Sequence, residues 1–200
     1  MPLVTVVVAY LLGTFPSAAL AGRLRGIDPT ASGSGNPGTT NMLRTAGRRA
    51  ALLTLVGDVG KGALAAGMGW WVGGSHGWGL ACGVAAVIGH IAPVTRRFRG
   101  GKGVATGFGM LLVLFPGLAA LGALTFVATV AATRIASLGS FAAEAVVLVA
   151  AIVADISGRE VAGLALCCTV VLARHVENIG RLRRGEERRI TLRRRRPDPG

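Results

Sequence analysis

Residues Arg96 to Gly109, RRFRGGKGVATGFG, bring three arginines and a lysine onto the adjacent glycines Gly100 and Gly101, and then turn into an apolar helical pattern beginning at Gly103 or Val104. The chemistry this arrangement suits is anion binding. Glycine lets the backbone come close to a ligand, the first N–H groups of a helix have no partner inside it, and the helix dipole adds about half a positive charge at that end. Lys102 adds a full charge. The plainer alternative is a loop whose Lys and Arg only fix membrane orientation. Two look-alike motifs fail. A Walker A loop needs Ser or Thr after the lysine and a glycine at its start, and here Gly103 and Arg96 stand in those places. GSGNPG, Gly33 to Gly38, matches the dinucleotide fingerprint GxGxxG, but it follows an apolar run of membrane length instead of a lone strand in a βαβ unit.

The elements that must position this loop are membrane helices. With 200 residues, 52% hydrophobic, 31 glycines and 16% charged residues, the composition lies outside the soluble range and predicts an all-α integral membrane protein. Abundant glycine suits close helix packing in lipid. The net charge of +13 does not imply nucleic acid, because the charges fall in short gaps between apolar runs and not along one soluble face with interleaved aromatics. Cys82, Cys167 and Cys168 all lie inside apolar runs, so they read as small buried hydrophobes and not as a disulfide framework. No cluster of carboxylates or histidines converges, and neither a metal nor another cofactor is implied.

In order along the chain, Leu3 to Gly22 is the first apolar run, with Pro16 as a point of bending and no basic region before it that would mark a cleaved signal. Arg23 to Arg49 is a polar loop rich in Gly and Ser, with SGSGNPGTTNMLR at its centre. Ala50 to Gly74 is the second span, carrying Asp58 and Lys61 on one helical face, either as a satisfied ion pair or as part of a site. Trp78 to Thr95 is the third, with His76 and Trp70, Trp71 and Trp78 at the position of an aromatic belt. Val104 to Ala132 is apolar for 29 residues, about 44 Å as one straight helix, and Pro116 with Gly117 offers a break. Leu138 to Ala154 and Val161 to Ala173 follow, and the tail from Arg174 is basic.

Whether residues 104 to 132 cross once or twice decides the topology. Two crossings give seven transmembrane helices with the N-terminus outside and the C-terminus cytoplasmic. All but Lys61 and Arg159 of the 22 Lys and Arg then lie on the inside. One crossing would put the basic tail opposite the first two basic loops. Seven helices also make the segment after GGKG a short half-helix, whose N-terminus faces a ligand. The first loop, the GGKG loop, Arg134 and the start of the tail gather on the cytoplasmic face.

Taken together, SGNPGTTNMLR, GHIAPVTRRFRGGKGVATGFG and RHVENIGRL resemble the three signature motifs of the bacterial acyl-phosphate:glycerol-3-phosphate acyltransferases, the PlsY family. The resemblance runs from Leu3 to Glu187 and takes in GDVGKG and TRIASLGS. It implies a multi-pass bacterial inner-membrane enzyme with seven helices and a cytoplasmic active site. Such an enzyme moves an acyl chain from acyl phosphate to the 1-hydroxyl of sn-glycerol 3-phosphate, giving lysophosphatidic acid and inorganic phosphate, the first step of phospholipid biosynthesis. Residues 1–187 would form one domain and 188–200 a basic cytoplasmic tail. The implied partners are the two substrates, membrane lipids and an enzyme that produces acyl phosphate. None of His76, His90 or His175 has Asp five residues on, so the HxxxxD motif of other glycerolipid acyltransferases is absent.

By their match to the first motif, Ser34, Gly35, Asn36, Gly38, Thr40, Asn41 and Arg44 would bind glycerol 3-phosphate, with Thr39 adding a hydrogen bond and Arg44 a bidentate clamp. Gly101, Lys102 and Gly103 would cradle the acyl phosphate with backbone N–H groups. His175 and Asn178, from the third motif, would share one side of the last helix. Two roles are open to His175: taking the hydroxyl proton, or only holding the substrate while a substrate phosphate accepts it. Acyl phosphate is already activated, so positioning and oxyanion stabilisation can supply most of the acceleration, with Lys102, His175 and Asn178 as the groups nearest the chemistry. The family usually has Arg after the third-motif histidine, where this chain has Val176. Glu177 reads as structural. Glu144 is either a helix-packing partner or a group that tunes the site. Arg193 to Arg196 reads as an anionic-lipid contact. A transporter for organic phosphates is the rival class, but neither the inverted repeats nor the midplane polar residues it would usually show are found.

Overall fold

A computed structural model of the chain describes residues 2–190; the Arg193–Arg196 run lies outside the described residues. Among those described, the regular structure is entirely helical. The first apolar run folds as α1 (Pro2–Gly13) and α2 (Ser17–Arg23). Pro16 lacks an N–H and its ring cannot continue a helix, so the run breaks there. The Phe15 carbonyl exposed at the break accepts hydrogen bonds from the Ser17 N–H and from Lys61 Nζ, both at 3.1 Å. The first polar loop contains α3 (Thr39–Thr45), and α4 (Arg48–Gly73) then runs the depth of the molecule to a left-handed cap at Gly74 with φ 66°. α5 (His76–Ile91) returns and ends in a 3-10 turn, Val94–Arg96.

The long apolar run does divide, into α6 (Val104–Leu114) and α7 (Pro116–Thr133), with Pro116 in the first turn where its missing N–H costs nothing. α8 (Ala136–Val153), α9 (Gly158–Ala173) and α10 (Val176–Arg183) complete the chain. Among the described residues five helical stretches are long and apolar enough to cross a membrane, or six if the bent pair of α9 and α10 is one span. α6, at 11 residues, rises about 16 Å, roughly half a bilayer.

Burial is inverted relative to a water-soluble protein. Leu3, Val4, Trp71, Leu124, Val127 and Val153 all face outward, as side chains meeting lipid would. Inside, α6 lies against α4 at backbone distance: a Cβ on Gly62 would overlap the Thr106 carbonyl oxygen, and one on Gly109 that of Val59. Close approach through small residues is how helices associate where lipid removes the hydrophobic drive between them. The apolar core beside this seam holds Val87, Met110, Leu164 and Val171.

The last helix departs from expectation. His175 and Asn178 do not continue the last apolar span, because the axis bends by 60° between α9 and α10; His175 caps α10 and Asn178 lies in its first turn. The Arg174 and His175 N–H groups bond three residues back, to Val171 at 3.1 Å and Leu172 at 2.9 Å, and this tightened last turn ends α9. Beyond α10 the chain turns at Gly185, φ 71°, and returns to the α7–α8 junction, where the Ile190 N–H donates to the Arg134 carbonyl at 2.7 Å.

Candidate active site

The first polar loop is shaped by Asn41, which is buried on α3. Its Oδ1 accepts the Ser34 N–H at 2.9 Å, and its Nδ2 donates to the carbonyls of Pro29 and Ser32 at 3.0 Å each. Both amide hydrogens and one lone pair of Oδ1 are engaged with the loop, so Asn41 organises the loop while itself lining the cavity. It holds out Ser34, Gly35, Asn36, Gly38, Thr39, Thr40 and Arg44, all of which line one cavity. Thr39 Oγ1 is buried with no hydrogen-bond partner among the described residues, which leaves its hydroxyl available.

The GGKG loop faces this one. Gly100 and Gly101 donate their N–H groups to the carbonyls of Ile91 and His90, at 3.1 and 3.0 Å, folding the loop back onto the end of α5. A Cβ on Gly101 would run into the His90 ring. Gly101 therefore does not offer its N–H to a ligand, contrary to expectation; the Lys102 and Gly103 N–H groups have no acceptor among the described residues, and the open donors continue into the first turn of α6, capped by Gly103 at φ 91°. From the far side Arg174 steadies the loop, with Nε to the Gly101 carbonyl at 3.3 Å and a terminal nitrogen to that of Gly100 at 3.4 Å.

Lys102 reaches from the loop to α10, where its Nζ donates to Asn178 Oδ1 at 2.5 Å. Asn178 Nδ2 in turn donates to Glu187, which also accepts from Arg181 Nε at 2.8 Å and Ser137 Oγ at 3.1 Å. Burial pushes the Lys102 ammonium down to about 8, against the pull of Glu187 in the other direction. Burial works to raise the Glu187 carboxyl, but the hydrogen bonds from Asn178, Arg181 and Ser137 outweigh it and hold it below its usual range. The result is an orientation chain: carboxylate fixes amide, and amide fixes ammonium.

His175, about 1% exposed, has Nδ1 2.9 Å from the Val171 carbonyl. A carbonyl only accepts, so Nδ1 carries the proton and Nε2 is the acceptor of the neutral ring. Phe141 packs edge-on against it, with centroids 5.2 Å apart. His175, as the N-cap of α10, and Asn178 within it line the same cavity.

Asp58, Lys61 and His90 form a buried knot, of which Asp58 and His90 contribute to the lining of the same cavity. Asp58 Oδ1 lies 2.9 Å from Lys61 Nζ and 3.4 Å from His90 Nδ1. Through Phe15 and Gly101 it ties the proline break of the first run to the GGKG loop. The ion pair is buried, and its two charges engage one another.

The cavity has a volume of about 1520 Å³. Arg44, Arg96, Lys102, Arg174 and Arg181 line it together with the apolar side chains Phe108, Leu111, Phe126, Val147 and Leu164. Glu187, Ser137 and Arg181 had not been singled out from the sequence. Arg181 stands within the third motif and Ser137 within TRIASLGS at the start of α8, while Glu187 comes in only because the chain returns at Gly185. Val176 is exposed and supplies no charge.

A cationic site opening into an apolar cleft, inside an all-helical fold whose outer faces are hydrocarbon, defines an integral membrane protein. The family model for glycerol-3-phosphate acyltransferase matches residues 3–185, and the chain belongs to that family. A glycerol-3-phosphate acyltransferase of Pseudomonas paraeruginosa is 44% identical over 190 residues, covering 91% of this chain and 96% of its own. That of Trichlorobacter lovleyi is 44% identical over 180 residues, covering 90% and 92%. Among solved structures, PlsY (YgiH), an integral membrane glycerol 3-phosphate acyltransferase in its glycerol 3-phosphate form, superposes with a TM-score of 0.89 at 32% identity, covering 95% of this chain and 96% of that one. Its lysophosphatidic acid form gives a TM-score of 0.86 at 32% identity, covering 94% of each.

Proposed function

We propose that the protein transfers a fatty acyl group from acyl phosphate to the 1-hydroxyl of sn-glycerol 3-phosphate, giving lysophosphatidic acid and inorganic phosphate. The observation that carries this reading is that one cavity joins phosphate-binding chemistry to a cleft for an acyl chain. Crystal forms of PlsY with glycerol 3-phosphate and with lysophosphatidic acid support it from outside the chain.

Ser34, Asn36, Thr39, Thr40 and Arg44 hold glycerol 3-phosphate, with Arg44 as the always-charged clamp. Lys102 and the first N–H groups of α6 hold the acyl phosphate and stabilise the charge that develops as its carbonyl is attacked. His175 accepts a hydrogen bond from the 1-hydroxyl on Nε2 and orients it. The hydroxyl oxygen bonds to the acyl carbon, the bond from that carbon to the phosphate oxygen breaks, and the proton ends on the released phosphate. Glu187 and Asn178 act by fixing Lys102.

Residues 1–187 form one domain of seven passes, with α1 and α2 as a broken first pass and α6 as a short fourth one. The N-terminus lies outside, and the active site faces the cytoplasm of a bacterial cell at its inner membrane. Residues 188–200 form the basic tail, attracted to anionic lipid at about 1 kcal/mol per charge near the surface. An enzyme that produces acyl phosphate supplies the donor, and the product enters phospholipid biosynthesis.

The test is purified protein in detergent with glycerol 3-phosphate and palmitoyl phosphate, following phosphate and lysophosphatidic acid together, with palmitoyl-CoA as a parallel donor. Equal release of both products from palmitoyl phosphate, and none from palmitoyl-CoA, is expected. A folded protein that binds glycerol 3-phosphate but turns over neither donor contradicts the reading and favours a transporter.

A further inference from the structure

Glu144 lies inside the cleft, away from every group given a role above. Ser137, Ser140, Glu144 and Val147 share one face of α8 by their helical spacing, and all four line the cavity. Ser137 marks the mouth, because its hydroxyl bonds Glu187 at 3.1 Å. Phe141, one turn further, packs on the ring of His175. Glu144 follows at about 4.5 Å beyond Phe141 and about 10 Å beyond Ser137 along the helix axis. The cavity continues past it to Val147 and Leu164.

Glu144 Oε1 is buried and has no hydrogen-bond partner among the described residues. A carboxyl retained to pack two helices would bond across the seam, and this one does not. On one side of it along the cleft the lining is Phe126 and Val147, and Cys167 and Cys168 contribute only weak hydrogen-bonding thiols. A plain acyl chain laid over Glu144 would strip its remaining access to water and return no hydrogen bond. A chain carrying a hydroxyl at that depth would satisfy it, since a hydroxyl both donates and accepts and so suits either protonation state of the carboxyl.

We infer that Glu144 is a specificity-determining residue of the acyl cleft, favouring donors that carry a hydroxyl a few carbons past the carbonyl over plain chains that run past the same point. The inference rests on the acyl-phosphate reading given above. With the carbonyl near His175, the favoured hydroxyl falls roughly between the third and the eighth carbon beyond it, taking about 1.3 Å of advance per carbon in an extended chain.

The test compares kcat/KM for palmitoyl phosphate with that for hydroxypalmitoyl phosphates bearing the hydroxyl at C3, C6 or C15. The full-length protein is measured beside Glu144→Leu and Glu144→Gln. In the unaltered protein the C6 compound is preferred and the C15 compound behaves like the plain donor. The ratio of hydroxylated to plain donor falls about tenfold or more in Glu144→Leu, the order expected of an unmet hydrogen bond at a buried polar site, and stays high in Glu144→Gln. Position preference in the unaltered protein needs no variant, so it stands even where Glu144→Leu does not fold. Transfer with no dependence on hydroxyl position, or with the same ratio in Glu144→Leu, overturns the assignment alone. No transfer from any acyl phosphate overturns it together with the donor reading on which it rests.

Discussion

The two lysines of this chain, Lys61 and Lys102, each sit in a Gly-Lys-Gly tripeptide, and the structure uses them oppositely. Lys61 lies within α4 with its side chain about 4% exposed, paired to Asp58 and donating to the carbonyl freed by the Pro16 break. Its flanking Gly62 is there because the α6 backbone passes over it. Lys102 stands in a loop at the mouth of the cavity, and its flanking glycines fold that loop against His90 and cap α6. One ammonium closes a gap in the protein, and the other is held by Asn178 at the cavity wall. The difference teaches that a charge in a membrane protein is assigned by what remains open around it, not by its local sequence.

That contrast is open to attack at several points. The largest expected effect is on folding: Lys61→Ala leaves Asp58 buried with only His90 beside it and should destabilise the protein by about 3–5 kcal/mol, read as the thermal midpoint in detergent. An unchanged midpoint would remove the structural half of the comparison. Lys102→Ala should keep its midpoint and lose about 10²–10³ in kcat/KM, the scale of one lost donor to a developing anion. Glu187→Gln, which frees Asn178 and Arg181 from their carboxylate, should lower kcat/KM about tenfold while leaving the fold intact. A full-strength Glu187→Gln enzyme would show that Lys102 needs no such orientation.

The pH profile sharpens the same point. Burial disfavours the charged form of Lys102, so its ammonium is present below about 8 and lost above it. The kcat/KM profile, which reports the free enzyme, should therefore fall as pH rises through about 8. Lys102→Arg should flatten that limb, because a guanidinium does not titrate there. The smallest effect belongs to Val176→Arg, which restores the charge usual in the family at an exposed position; a fall in KM of about twofold is in keeping with a solvent-screened contact.

Much of this architecture was legible in the sequence because its signals were local. Proline breaks a helix from within the chain itself, and the division at Pro116 alone makes α6 short. The grouping of the three motifs in one site followed from the charge bias of the loops. What escaped was long-range. Nothing near Gly101 says that its N–H will turn to the His90 carbonyl, and nothing near Asn41 says that its amide will be engaged by Pro29, Ser32 and Ser34. Arg97 and Phe98 adopt left-handed backbone, φ 50° and 60°, without the glycine that usually announces it. Glu187 enters the site only because the chain reverses at Gly185, a turn with an obvious residue but an invisible destination.

Single-turnover transfer measures the central claim most directly, with protein saturated in glycerol 3-phosphate and mixed rapidly with palmitoyl phosphate, for the unaltered chain and for folded Lys102→Ala. The transfer step itself should slow by at least about a hundredfold when the Lys102 ammonium is removed. An unchanged single-turnover rate in Lys102→Ala would mean that the GGKG loop is only a membrane-orienting turn, and that the chemistry takes place without it.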